Sequence, residues 1–116
     1  MTTQHTPGPW LVVNTTDVFT GLGASTRDGV HADANDGWRI ADCDVAVAFV
    51  DGVEIEMGYA EKKANARLIA ASPDLLDALP LLLLEVDESA IAGAKDYGWP
   101  VAVQKSRAAI AKATQP

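Results

Sequence analysis

A chain of 116 residues has room for one domain with a modest core, and 48% hydrophobic against 22% charged residues separates it from disordered chains. Its net charge of −7 is uneven: residues 1–60 hold only Arg27 and Arg39 against nine acidic side chains, whereas residues 61–116 hold seven of each sign. That field opposes duplex nucleic acid, no apolar run approaches the roughly 20 residues of a membrane helix, and the lone Cys43 leaves no intrachain disulfide, in keeping with a reducing cytoplasm.

Residues 1–9 read as a flexible lead-in, with Pro7 and Pro9 fixing two backbone angles around Gly8. Trp10 to Val13 is a short β-rich run, and Val18 to Thr20 a second, weaker one. RDGVHADANDG, from Arg27 to Gly37, carries two Asp-Gly pairs and reads as turns. Trp38 to Ala41 suits a half-buried strand with Trp38 and Ile40 on one face, and Trp10 and Trp38 are expected to fill a small core from adjacent strands. Val45 to Val50 is a fuller apolar run. Asp51-Gly52 is a tight hairpin signal leading into Val53 to Met57, where Val53, Ile55 and Met57 are expected to point inward.

At Ala60 the apolar period changes from two to 3.6. Ala60, Ala64, Leu68 and Ala71 form a stripe of small residues, and Ser72-Pro73-Asp74 supplies a helix cap, so one helix is expected to end near Ala71 and another to begin. The second carries Leu75, Leu76, Leu79, Leu82, Leu83 and Val86 as its buried stripe, with a kink at Pro80. With Leu81 and Leu84 added, its circumference is mostly apolar. Such a helix needs cover on more than one side, which predicts self-association, as a dimer or higher oligomer, through Leu81 and Leu84. After Gly93 and Gly98, Trp99-Pro100 opens a last helix to about Lys112, with Val103 and Ile110 on its contact face. The expected fold is α+β: an N-terminal antiparallel sheet of four to five short strands over about 10–58, with C-terminal helices over about 60–114 packed on one face, in one domain.

Catalytic chemistry finds little support in the residue types. His5, His31 and Cys43 have no metal-ligand spacing. Asp33 to Gly37 resembles part of a calcium loop, but counting from Gly37 as the sixth position puts Ala32 first and Cys43 twelfth, where carboxylates are required. No serine sits in a nucleophile elbow, Cys43 reads as buried and inert, and Gly21-Leu22-Gly23 lacks the third glycine of a dinucleotide fingerprint. Neither a catalytic residue, a metal nor a cofactor is expected. A small anionic ligand is better provided for: Lys63, Asn65 and Arg67, beside Tyr59 and with Lys62 adjacent, put cations, an amide and a ring together where strand gives way to helix.

HTPGPW (His5 to Trp10), NARLIAASPDLLDAL (Asn65 to Leu79) and RAAIAKA (Arg107 to Ala113) together resemble a widespread group of small proteins encoded by bacteriophages and prophages. The resemblance implies an accessory product acting in the cytoplasm of an infected bacterium, and brings no catalytic signature. By analogy with phage sponge proteins that counter bacterial immunity, it suggests a homo-oligomer that sequesters a small nucleotide messenger without cleaving it. The alternatives are an acidic inhibitor of a host protein and a structural accessory with no ligand.

Overall fold

The computed structural model describes residues 4–88 and 99–114. Five strands precede two helices: β1 (Trp10–Val13), β2 (Asp17–Thr20), β3 (Arg39–Asp42), β4 (Val47–Val50), β5 (Val53–Glu56), α1 (Tyr59–Glu88) and α2 (Trp99–Thr114). The chain is α+β, as expected, with its strands divided between a three-stranded antiparallel sheet ordered β1-β2-β3 and a separate β4-β5 hairpin. The connection expected around Gly93 and Gly98 lies outside the described residues.

Turn chemistry explains both hairpins. Asp51 and Gly52 have φ of 50° and 80°, the mirror-image turn whose twist matches paired strands. Between β1 and β2, Asn14 and Thr15 take φ of 54° and 67°. That region suits asparagine but strains a β-branched threonine. Gly23 to Asp36 forms the irregular excursion read from the Asp-Gly pairs, closed by an isolated Ser25–His31 bridge and by the Gly23 N–H donating to the Asp36 carbonyl at 2.8 Å.

Two compact units emerge. One spans Thr6–Pro73; the other joins Asp74–Pro116 with Met1–His5. The core of the first is small and partly polar: Val18 and Ala66 are wholly buried, with Thr16, Thr20, Lys62 and Pro73 beside them in burial. Trp10 and Trp38 are half-buried and not on adjacent strands: Trp38 immediately precedes β3, which β2 separates from β1. Cys43 is half-buried rather than enclosed.

α1 departs from the expectation in two respects. It runs unbroken for 30 residues through Pro73 and Pro80. The Ser72 hydroxyl donates to the Leu68 carbonyl at 3.0 Å, a bond back into the preceding turn, and so starts no new helix. Each proline forfeits one backbone bond, while alanine and leucine on either side sustain the helix. The buried face is also different: Lys62, Ala66 and Pro73 are covered, whereas Ala60, Ala64 and Leu68 are exposed. A lysine holds a core position that hydropathy would give to an alanine. Further along, Leu83 is buried and Leu76, Leu79 and Val86 are half-buried, but Leu75 and Leu82 are exposed. Val103 and Ile110 lie on the less exposed side of α2.

Gly8 brings two of the sequence motifs into contact. A Cβ at Gly8 would lie 3.1 Å from the Pro73 Cβ, so the HTPGPW segment runs tightly against the proline of NARLIAASPDLLDAL. The lead-in is anchored from Thr6 onward to the covered side of α1, and the two motifs do structural work on each other.

Candidate binding surfaces

The residues expected to gather a ligand part company along α1. Tyr59, Lys63 and Arg67 recur at i, i+4 and i+8 and share a side. The Lys63 ammonium lies 4.9 Å from the centroid of the Tyr59 ring, and the Tyr59 hydroxyl shares a 2.5 Å hydrogen bond with the hydroxyl of the strained Thr15. The Arg67 Nε donates to the Lys63 carbonyl at 3.4 Å, a bond along its own helix. Asn65 is turned elsewhere, its Nδ2 donating to the Met57 sulfur at 3.4 Å.

Lys62 points inward. Its side chain is buried, and its ammonium bonds the Glu56 carboxylate and lies 3.6 Å from an Asp44 oxygen, both acids being mostly exposed. The stem is thus covered while the charge reaches the rim. The hydrogen bond to Glu56 holds the lysine above its ordinary pKa despite burial, and the same bond, followed by the lysine's charge, holds Glu56 below its own. These groups tie the end of β5 to α1. They are structural, which leaves Tyr59, Lys63 and Arg67 as the open cationic stripe.

A larger surface went unforeseen. Every residue of β4 and β5 is exposed, with Phe49 at 75% and Val53 at 59%. The register pairs Ala48 with Ile55 and Val50 with Val53, so one side of the hairpin carries four apolar side chains and no charge. The other side sets Val47 opposite Glu56 and Phe49 opposite Glu54. Val53 and Ile55 do alternate as expected, yet they do not face a core, because the hairpin forms its own sheet instead of extending β1-β2-β3. Where the hairpin meets the start of α1, a depression of about 360 Å³ is lined by apolar residues including Val47, Ile55 and Met57, with Glu56 and Glu61 at its edge.

The remaining candidates are accounted for locally. The Asp33 to Gly37 segment is a turn, the Asp36 N–H donating to the Asp33 carbonyl and the Asp36 carboxylate accepting from the Gly37 N–H. Trp38 donates its indole N–H to the Ala24 carbonyl at 3.0 Å. Among the described residues no three His, Cys, Asp or Glu side chains are grouped to hold a metal, and no helix is long and apolar enough to cross a membrane. Leu81 and Leu84 are exposed at 65% and 51%.

A family model described as Salmonella phage P22 protein Y8K6 matches residues 1–116. The chain belongs to this family. It is therefore a phage-type protein, in agreement with the resemblance read from its motifs. No curated protein and no solved structure matches it. Family membership gives the biological setting, and the chemistry has to be read from the surfaces above.

Proposed function

We propose that this phage accessory protein is a non-catalytic binding protein that uses the β4-β5 hairpin to engage a protein of the host, with a bacterial defence protein the expected target. The observation that carries this reading is the full exposure of the apolar side of the hairpin, Val53 and Ile55 included. A two-stranded sheet without cover is marginal in water, and an apolar face with free strand edges invites a partner. Charge selects the kind of partner. Asp51 at the turn and Glu54 and Glu56 on the opposite side accompany the apolar residues within a half-chain of net charge −7, which repels a second copy and suits an apolar patch rimmed by lysine and arginine. Self-association belongs instead to the leucines of α1, since residues 61–116 balance in charge and Leu81 and Leu84 stand exposed.

The test is a photo-crosslinking residue placed at Val53, on the apolar side of the hairpin, and, as a control, at Leu22, in the full chain expressed in bacteria. The reading expects an adduct with a host protein at position 53 only, abolished by Ile55→Asp, whose crosslinked surface is apolar and flanked by basic residues. Adducts with the chain's own copy, or equal adducts at both positions, would overturn it.

A second reading, sequestration of a small nucleotide messenger without cleavage, draws support from the Tyr59, Lys63 and Arg67 stripe, where a ring and two cations lie side by side. A thermal-shift screen of cyclic dinucleotides, cyclic trinucleotides and ADP-ribose derivatives addresses it, with Arg67→Ala expected to abolish any stabilisation. Recovery of a hydrolysed product would replace both readings with an enzyme.

A further inference from the structure

The outer side of the three-stranded sheet combines features that neither reading uses. Leu11 pairs with Phe19 and Phe19 with Arg39, so these three side chains form one row across β1, β2 and β3. A bulge between Val18 and Phe19 on this ladder moves Arg39, in place of Ile40, opposite the phenyl ring. The opposite side holds Val18 and Thr20, which are buried. An antiparallel sheet covered on one side ordinarily turns polar residues to the other. Here Leu11 and Val13 stand exposed beside Phe19, and a cleft of about 410 Å³ opens among them, bounded by Leu22, Asp17, Asp36 and Arg39. That volume is within the range that accommodates small ligands.

Arg39 gives the cleft its chemistry. Its guanidinium lies 5.3 Å from the centroid of the Phe19 ring and makes no ion pair among the described residues, leaving its donors available. A cation stacked on a ring next to apolar walls offers a flat apolar surface and a fork of N–H groups at its rim. The neighbouring Asp17 and Asp36 set an upper limit on charge: with one arginine they leave the cleft at −1, so a dianion is excluded and a single negative charge is held only by direct bonds to the Arg39 fork. The acidic half-chain reinforces that limit.

We propose that this cleft binds a small molecule with a planar ring and one negative charge, the ring lying over Leu11 and Phe19 and the charge at Arg39. An aryl carboxylate and a nucleoside phosphodiester share that chemistry. The cleft lies on a different sheet from the hairpin, so binding here stands or falls independently of the protein-binding reading.

The experiment titrates the full chain at low salt with indole-3-acetate and with 3′,5′-cyclic AMP, following backbone amide shifts by NMR, with adenosine as an uncharged ring and inorganic phosphate as a ringless anion. The shifts should centre on Leu11, Phe19, Gly21 and Arg39. The two controls should bind at least about tenfold more weakly than the preferred probe, as should that probe to Arg39→Gln, since a charge-assisted hydrogen bond is at stake. Phe19→Leu, which keeps the bulk and removes the ring, should weaken binding in the same direction, while Arg27→Gln leaves it unchanged. The probe that binds more tightly identifies the source of the ligand. Absence of shifts with both charged probes at millimolar concentration, shifts centred elsewhere, or equal affinity in Arg39→Gln would overturn the proposal.

Discussion

Gly37→Ala should destabilise the first unit more than any other exchange of a single hydrogen for a methyl group near the cleft. Gly37 has no positive φ, so the substitution acts through space alone. The added Cβ would sit 2.8 Å from the Thr20 carbonyl oxygen, 3.1 Å from that of Gly21 and 3.1 Å from the Thr20 hydroxyl. Two of these atoms are backbone and cannot rotate away, and reaching an ordinary carbon–oxygen separation requires a shift of about 0.5 Å. That shift is resisted by two bonds holding the same segment, Trp38 N–H to the Thr20 hydroxyl at 2.8 Å and Thr20 N–H to the Trp38 carbonyl at 2.9 Å. Losing both costs about 2 kcal/mol, in line with the 1–3 kcal/mol typical of overpacking, and lowers the melting temperature of a domain this size by about 10 °C. Gly21→Ala is the matched control: its Cβ meets nothing within 4 Å, and its effect should stay within about 0.5 kcal/mol. Urea unfolding of both variants gives the comparison. A Gly37→Ala protein as stable as Gly21→Ala would refute the close approach of this loop to β2.

The Lys62–Glu56 pair predicts a plateau in stability against pH. Glu56, held below 4.5, contributes stability that is present above that value and lost as pH falls through its lowered pKa; Lys62, held above 10.5, contributes stability present below that value and lost as pH climbs through its raised one. The stability difference between wild type and Lys62→Met should therefore be constant across neutral pH and change at both extremes, and a difference independent of pH throughout would remove the ion pair from the account. Leu81→Glu combined with Leu84→Glu should weaken self-association while the Thr6–Pro73 unit stays folded; sedimentation of the wild type as a monomer at micromolar concentration would contradict that interface.

The strands were largely legible because alternation and the Asp51-Gly52 turn are local signals. The course of α1 was less so. Ser72-Pro73-Asp74 has the composition of a helix start, and only the bond from Ser72 back to Leu68 shows that the helix continues through it. Its buried face was hidden by abundance, since alanines lie on every side, and the covered position next to Ala66 belongs to a lysine that depends on Asp44 and Glu56. Of the expected ligand residues, Tyr59, Lys63 and Arg67 do share one side because helical spacing is readable, whereas the contact of Asn65 with Met57 depends on how β5 meets α1. The Leu11–Phe19–Arg39 row could not be read at all, because it requires the strand order and a bulge that shifts the register by one residue. Exposure of Val53 and Ile55 was equally hidden: their alternation is that of a half-buried strand, and only tertiary structure reveals that the hairpin stands apart from the three-stranded sheet.

Hydrogen exchange across β4 and β5 tests the central claim most directly, measured on the free chain and on its complex with the protein captured at Val53. An uncovered two-stranded sheet should exchange quickly when free and gain protection from Val47 to Glu56 on binding, while the amides of β1 to β3 are unchanged. Protection already present in the free chain, or protection on binding confined to α1 or to the Leu11–Arg39 surface, would contradict the assignment of the hairpin as the binding element.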